Sequence, residues 1–193
     1  MKALIDLLLL AAFALPAFPT QYTLELKPEN TKIQWTLSDV LHTVQGSFKL
    51  KHGTIGFDTE TGRATGQIVV DVASGNSGSP ARDHRMHANV LESARYPEAV
   101  FVPDRMEGAL TIPGTSAIKL HGIFTIHGAS HEISLDVQAR STADQMNATI
   151  AFETPYVAWG MKDPSNFVLK VNKTVKMSIE VSAPLQQRAL PAR

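Results

Sequence analysis

The stretch LHGIFTIHGASHEISLDV, residues 120–137, decides the fold class. Leu120, Phe124 and Ile126 fall on one face of an extended chain, and Ile133, Leu135 and Val137 on one face of the next. Between them stands His127-Gly128-Ala129, a turn signal. Alternation at period two, interrupted by a glycine-bearing turn, predicts a half-buried antiparallel hairpin.

The same pattern extends in both directions. Ile33, Trp35 and Leu37 alternate with polar neighbours, and so do Ile68, Val70 and Val72, with Val69 breaking the polar face. Downstream, Ala148, Ile150 and Phe152 form one face, and Val175, Met177, Ile179 and Val181 another. Lys51-His52-Gly53, Asp58 to Gly62 and Pro113-Gly114 punctuate the runs at hairpin spacing. Eight or more strands follow, with no helix long enough for a β-α-β unit, so the expected class is all-β. If the sheet closes, Trp35, Leu37, Phe48, Leu50, Ile68, Val70, Phe101, Phe124, Ile126, Leu135, Ile150, Phe152, Met177 and Ile179 share its inner side. A barrel of about eight strands is filled by side chains or holds one small apolar ligand. The alternation requires the same residues in either case, and both readings stay open at this level.

Composition narrows the function classes. The chain has 193 residues, enough for one well-buried domain. Its 18 basic residues balance 18 acidic ones, which leaves no electrostatic footprint for nucleic acid or an anionic membrane. With no cysteine there are no disulfides, no thiol catalysis and no thiolate metal sites. Beyond the N-terminus no apolar run is long enough to cross a bilayer as a helix.

At the N-terminus, Lys2 precedes an apolar core from Ala3 to Leu15, and Pro16 and Pro19 end it. A positive start, an apolar centre and small residues at Ala14 and Ala17 read as a secretory signal peptide over residues 1–20, although Asp6 is atypical there. The expected location is periplasmic or secreted. The domain is expected to occupy 21–183, followed by a flexible tail over 184–193.

One segment departs from the strand pattern. Ala73 to Pro80 reads as a polar loop that leads into a short helix, with Asp83 as N-cap and Met86, Val90 and Leu91 on one face. Arg82, beside the positive end of that helix, calls for an anionic or carbonyl partner. Here the sequence runs Arg82-Asp83-His84-Arg85-Met86-His87, then Tyr96-Pro97-Glu98, then Val100-Phe101. With Ile33 to Leu37, His42 to Phe48 and Leu120 to Gly128 in the same order and spacing, it resembles the YceI-like family of secreted lipid-binding proteins. The resemblance runs from about Tyr22 to Val181. It implies an eight-stranded lipocalin-like barrel around one long apolar lipid, often a polyisoprenoid, as the only bound group, with no cofactor and no catalysis. His42, Arg82 and His87 stand at matching positions and become head-group candidates at the barrel mouth. Many relatives carry Arg-x-Asp-Phe-Gly near the last hairpin. This chain has Tyr156-Val157-Ala158-Trp159-Gly160-Met161, which keeps an aromatic at Trp159, a further head-group candidate at the mouth, and loses both charges.

A lipid is energetically reasonable: an isoprene unit has about five carbons, and each buried methylene-sized group gains roughly 0.8 kcal/mol. Two other readings compete, a packed barrel serving as a structural module and a metal-dependent enzyme using His84 and His87. Against the second, no third ligand has motif spacing, and His131-Glu132-Ile133-Ser134-Leu135 lacks the second histidine of a zinc-protease helix. The serines at 74, 77 and 79 sit in no nucleophile elbow, and no glycine-rich phosphate loop opens a helix. The expected partner is therefore an apolar lipid, with self-association into a homodimer left open.

Overall fold

The computed structural model describes residues 20–39, 42–167 and 170–189. The expected signal peptide lies outside the described residues, apart from its last position, Thr20. Among the described residues nine strands form one antiparallel sheet: β1 (Thr20–Leu26), β2 (Thr31–Ser38), β3 (Thr43–Asp58), β4 (Ala64–Asn76), β5 (Glu98–Glu107), β6 (Gly114–Ile126), β7 (Ala129–Ser141), β8 (Gln145–Thr154) and β9 (Val175–Ala189). A ring of eight runs β3-β2-β9-β8-β7-β6-β5-β4, and pairing of β4 with β3 closes it. Closure removes the free edges of the ring, which would otherwise template aggregation.

The ninth strand has a specific place. β1 and β2 are each antiparallel to the same two neighbours, at different levels. Leu26 pairs with Gly53 of β3 and Leu24 with Leu185 of β9, while Ile33 pairs with Phe48 and Ile179. The two strands thus occupy one position of the barrel in tandem. Between them Asn30 holds the break: Lys27 N donates to Asn30 Oδ1 at 2.8 Å, and Ser182 N on β9 donates to Asn30 O at 2.9 Å. The C-terminal tail expected to be flexible from Pro184 is instead strand to Ala189, because β1 and β8 supply its ladder partners and Leu185 is buried.

The expected hairpin of 120–137 forms β6 and β7 with Phe124 opposite His131 and Leu120 opposite Leu135. Asp58 shapes the β3–β4 turn by accepting from the backbone of Glu60 at 2.9 Å and Thr61 at 3.0 Å. Pro103 sits inside β5 at a register shift, where a missing N–H does least harm. Ala73 to Asn76, expected to be loop, continues β4, and two register shifts let the long β3 accompany it. Ser74 Oγ fills the irregularity, accepting from Lys49 N at 2.7 Å.

Helix α1 (Pro80–Arg85) continues directly into a π-helical turn over Met86–Val90. The N-cap is Ser79, and Pro80 sits in the first turn. Asp83 is no cap. It lies inside the helix and reaches back to Ser77, accepting from its N at 2.9 Å and its Oγ at 2.5 Å. Among the described residues no helix is long and apolar enough to span a membrane.

Candidate site: the capped end of the barrel

Strand register puts all the sequence-selected apolar residues on the inner face. Trp35 pairs with Met177, which pairs with Phe152; Ile68 pairs with Phe101, which pairs with Phe124; Ile150 pairs with both Val137 and Ile179. Leu37 and Ile126 lie near the ends of their strands on the same side.

Their burial is uneven along the axis. On β9, Val181, Ala183 and Leu185 are buried, whereas Val175, Met177 and Ile179 are only half-buried. β7 repeats this: Leu135, Val137 and Ala139 are buried, His131 and Ile133 half-buried. On β8, Met146 is buried and Ala148, Ile150 and Phe152 are half-buried. Phe48, Ile68, Val70 and Phe124 also keep partial exposure. An inward side chain that solvent reaches borders open space. Buried inward side chains thus dominate one half of the barrel, and partly exposed ones the half toward Phe152 and Met177, the open half. Trp35, Phe101 and Leu50 are buried members of the same wall.

Two chain segments fold over the open half. The first is the helical insert. His87 Nε2 lies 2.8 Å from Gly75 O at the end of β4, and Tyr96 packs on His127 in the β6–β7 turn with ring centroids 4.5 Å apart. Glu92 Oε2 approaches His127 Nε2 to 3.2 Å. The second is the β8–β9 connection. The Tyr156 hydroxyl donates to Asn172 O at 2.8 Å, and Asn172 N donates to Ser38 O of β2 at 3.0 Å. Burial, and then the charge of Asp163, pushes the Tyr156 phenol up to about 12, so it stays a donor. From this connection Trp159 lies flat on His131, 4.0 Å between centroids, with Phe124 at 5.9 Å.

The polar candidates fare differently. His87 lies under the cap. Arg82 finds the carbonyl partner its position called for: Nη2 donates to Ser77 O at 3.0 Å and Nε to Ser77 Oγ at 2.8 Å. Arg82 and Asp83 thus grip one residue from both sides, and the hydrogen bonds from Ser77 hold the Asp83 carboxyl below its ordinary range. His42 is on the β2–β3 turn with its side chain 72 % exposed, its backbone N bonded to Asp39 Oδ1 at 2.6 Å. His84 is exposed, and among the described residues no three His, Asp or Glu side chains cluster as a metal site would require. An open concavity of about 1130 Å³ runs past Lys32, Gln138, Thr149 and Glu180 and also takes in Ile33, Phe48, Ala148 and Val181.

Sequence reading missed His131, although it is in phase with Ile133, Leu135 and Val137 and so had to point inward. It also missed His121, which lies on the outer face yet is buried beneath Asp104 and Glu132, each 2.7 Å from a ring nitrogen.

A closed eight-stranded antiparallel ring with one strand position filled in tandem is the architecture of the small β-barrels. Within that class the chain belongs to the YceI-like domain family, which matches residues 24–183. Solved structures agree on the fold. A polyisoprenoid binding domain from Saccharophagus degradans superposes with a TM-score of 0.66 at 16% identity, over 86% of this chain and 98% of that one. BcnA of Burkholderia cenocepacia gives 0.67 at 16% identity, over 79% and 96%. The Campylobacter jejuni YceI protein gives 0.61 at 18% identity, over 75% and 86%. A comparison with curated protein sequences found no match.

Proposed function

We propose that this protein is an exported carrier that holds one long apolar lipid chain, of polyisoprenoid or isoprenoid-quinone type, in the open half of its barrel. The observation that carries the reading is the partial exposure of inward apolar side chains, Phe48, Phe124, Ile150, Phe152 and Met177, beneath two covering segments. Such a wall is stabilised when a ligand chain replaces water against it. The named activity of the Saccharophagus degradans relative, polyisoprenoid binding, points the same way. The role is carriage, storage or sequestration without covalent chemistry. Export rests on the apolar N-terminal twenty residues.

Native mass spectrometry of the protein exported from its host and purified without detergent tests this directly, followed by solvent extraction and lipid analysis. A stoichiometric apolar adduct is the expected result. A clean apo mass that takes up no added isoprenoid would leave the packed-module reading in its place.

A further inference from the structure

Four buried side-chain nitrogens have no hydrogen-bond partner among the described residues, Trp35 Nε1, His87 Nδ1, His127 Nε2 and His131 Nε2, and the first two meet near one place on the wall with opposite hydrogen-bonding character. Trp35 is 5 % exposed, and its Nε1 has no partner among the described residues. An indole nitrogen can only donate. His87 Nδ1 is likewise buried and unpartnered. Its other nitrogen, Nε2, faces the Gly75 carbonyl at 2.8 Å. A carbonyl only accepts, so Nε2 carries the proton, and in the neutral ring Nδ1 presents a lone pair.

The two groups share one neighbourhood. Trp35 lies against Gly46 on β3, so closely that a Cβ there would overlap the indole and the Asn76 carbonyl. His87 and Met86 lie against Gly75 on β4, where a Cβ would sit 3.1 Å from His87 Cε1 and 2.7 Å from Phe48 Cε1. Ser47 and Asn76 pair between those glycines, and Phe48 stands beside both rings, 6.5 Å from Trp35 between centroids. Missing side chains on both strands make room for the donor-bearing and the acceptor-bearing ring beside the half-buried Phe48 of the apolar wall.

Buried polar groups without partners are costly and rare, and at a ligand site the ligand is the natural partner. We infer that the end of the bound lipid under the helical insert is a hydroxyl, which accepts from Trp35 Nε1 and donates to His87 Nδ1. A quinone, ester or ether oxygen only accepts and would leave His87 unpaired. A hydrocarbon end satisfies neither. This inference rests on the lumen reading above and narrows its ligand to a long-chain alcohol of prenol type.

The test is competitive binding to the full, delipidated protein, read by native mass spectrometry. Three ligands of equal chain length are compared: geranylgeraniol, its methyl ether, and the corresponding hydrocarbon. The expected order is alcohol, then ether, then hydrocarbon, with about tenfold lost at each step. Trp35→Phe keeps an aromatic ring and removes the donor, so ether and hydrocarbon should bind it alike while the alcohol keeps its advantage over the ether. The series on the unaltered protein stands alone if that variant does not fold. Equal binding of all three ligands overturns the hydroxyl assignment and leaves the lumen reading intact. Failure of all three to bind overturns the lumen reading itself.

Discussion

His131 and Trp159 stack face to face, 4.0 Å apart and within 10° of parallel, although they come from β7 and from the β8–β9 connection. The contact joins a covering segment to the inner wall. Trp159→Ala should therefore loosen the cover with limited damage to the packed half. The expected cost in stability is about 1–3 kcal/mol, below that of deleting a fully buried aromatic. Lipid dissociation should accelerate. Stopped-flow release of a fluorescent isoprenoid compares the two proteins; unchanged release would show that Trp159 covers nothing that matters to the ligand.

Gly46 makes a second prediction because its missing side chain is where the indole lies. Gly46→Ala puts a methyl into the space of the Trp35 ring and the Asn76 carbonyl. The ring can yield only by turning into the lumen, and the carbonyl belongs to a paired strand. A loss of about 1–3 kcal/mol in denaturant unfolding is expected, with a shift in tryptophan emission. A variant as stable as the parent would mean that Trp35 is held loosely.

Much of the barrel was legible because alternation is a local property. Residues 120–137 carry their own register, and so do the faces of Ile33 to Leu37 and of Val175 to Val181. The tandem placement of β1 and β2 was hidden, because Lys27 to Asn30 reads as an ordinary turn and the shared neighbours lie on β3 and β9. Ala73 to Asn76 read as loop since small polar residues favour turns, but β3 supplies partners and a bulge that Ser74 fills. By residue pattern alone Asp83 fits a cap. Its true partner, Ser77, sits across a loop whose path no spacing rule gives. Of the site, the apolar wall was visible. The orphaned Trp35 nitrogen and the His131 stack depend on which residues face which across the interior.

The grip on Ser77 anchors the helical insert. Asp83→Asn weakens its bonds to the Ser77 backbone and hydroxyl, and Arg82→Ala removes the other side of the grip. Each should cost about 1–2 kcal/mol. Hydrogen exchange should rise from Ser77 to Tyr96 and remain unchanged in β7–β9. The Asp83 carboxyl is depressed in the folded protein, so its contribution is present above the ordinary carboxylate value and lost as pH falls through the lower folded value. Uniform exchange in variant and parent would show that the insert is held by its apolar face alone.

His121 governs the opposite side of the pH scale. The hydrogen bond to Asp104, then that to Glu132, holds the imidazolium above the ordinary 6.5, against burial and the nearby Arg105. Both ring nitrogens then donate to carboxylates, while the Arg105 guanidinium, 3.0 Å from Nδ1 and 3.8 Å from Asp104 Oδ1, opposes the charge. A raised folded value means stability that is full below about 6.5 and declines as pH rises through the folded value. His121→Gln should flatten the difference between urea midpoints measured at pH 6 and pH 9. A parent protein with no such difference would remove His121 as its source.

The sharpest division in the molecule is between Leu135 and Phe152, both inward-facing, one buried in the packed half and one bordering open space. Leu135→Ala leaves a cavity among Leu120, Val137 and their neighbours, and should cost about 2–5 kcal/mol. Phe152→Ala deletes a larger side chain, yet that side chain is only half-buried, and its edge-on contact with Phe124 at 6.4 Å is its one aromatic neighbour among the described residues. Its loss should cost less stability than that of Leu135 and should reduce bound lipid more. The order of the two effects inverts between a denaturation curve and a lipid assay only if the barrel is half packed and half open. If Phe152→Ala proves the more destabilising and leaves lipid content unchanged, the interior is a continuous core and the half-exposed wall has no ligand to explain it.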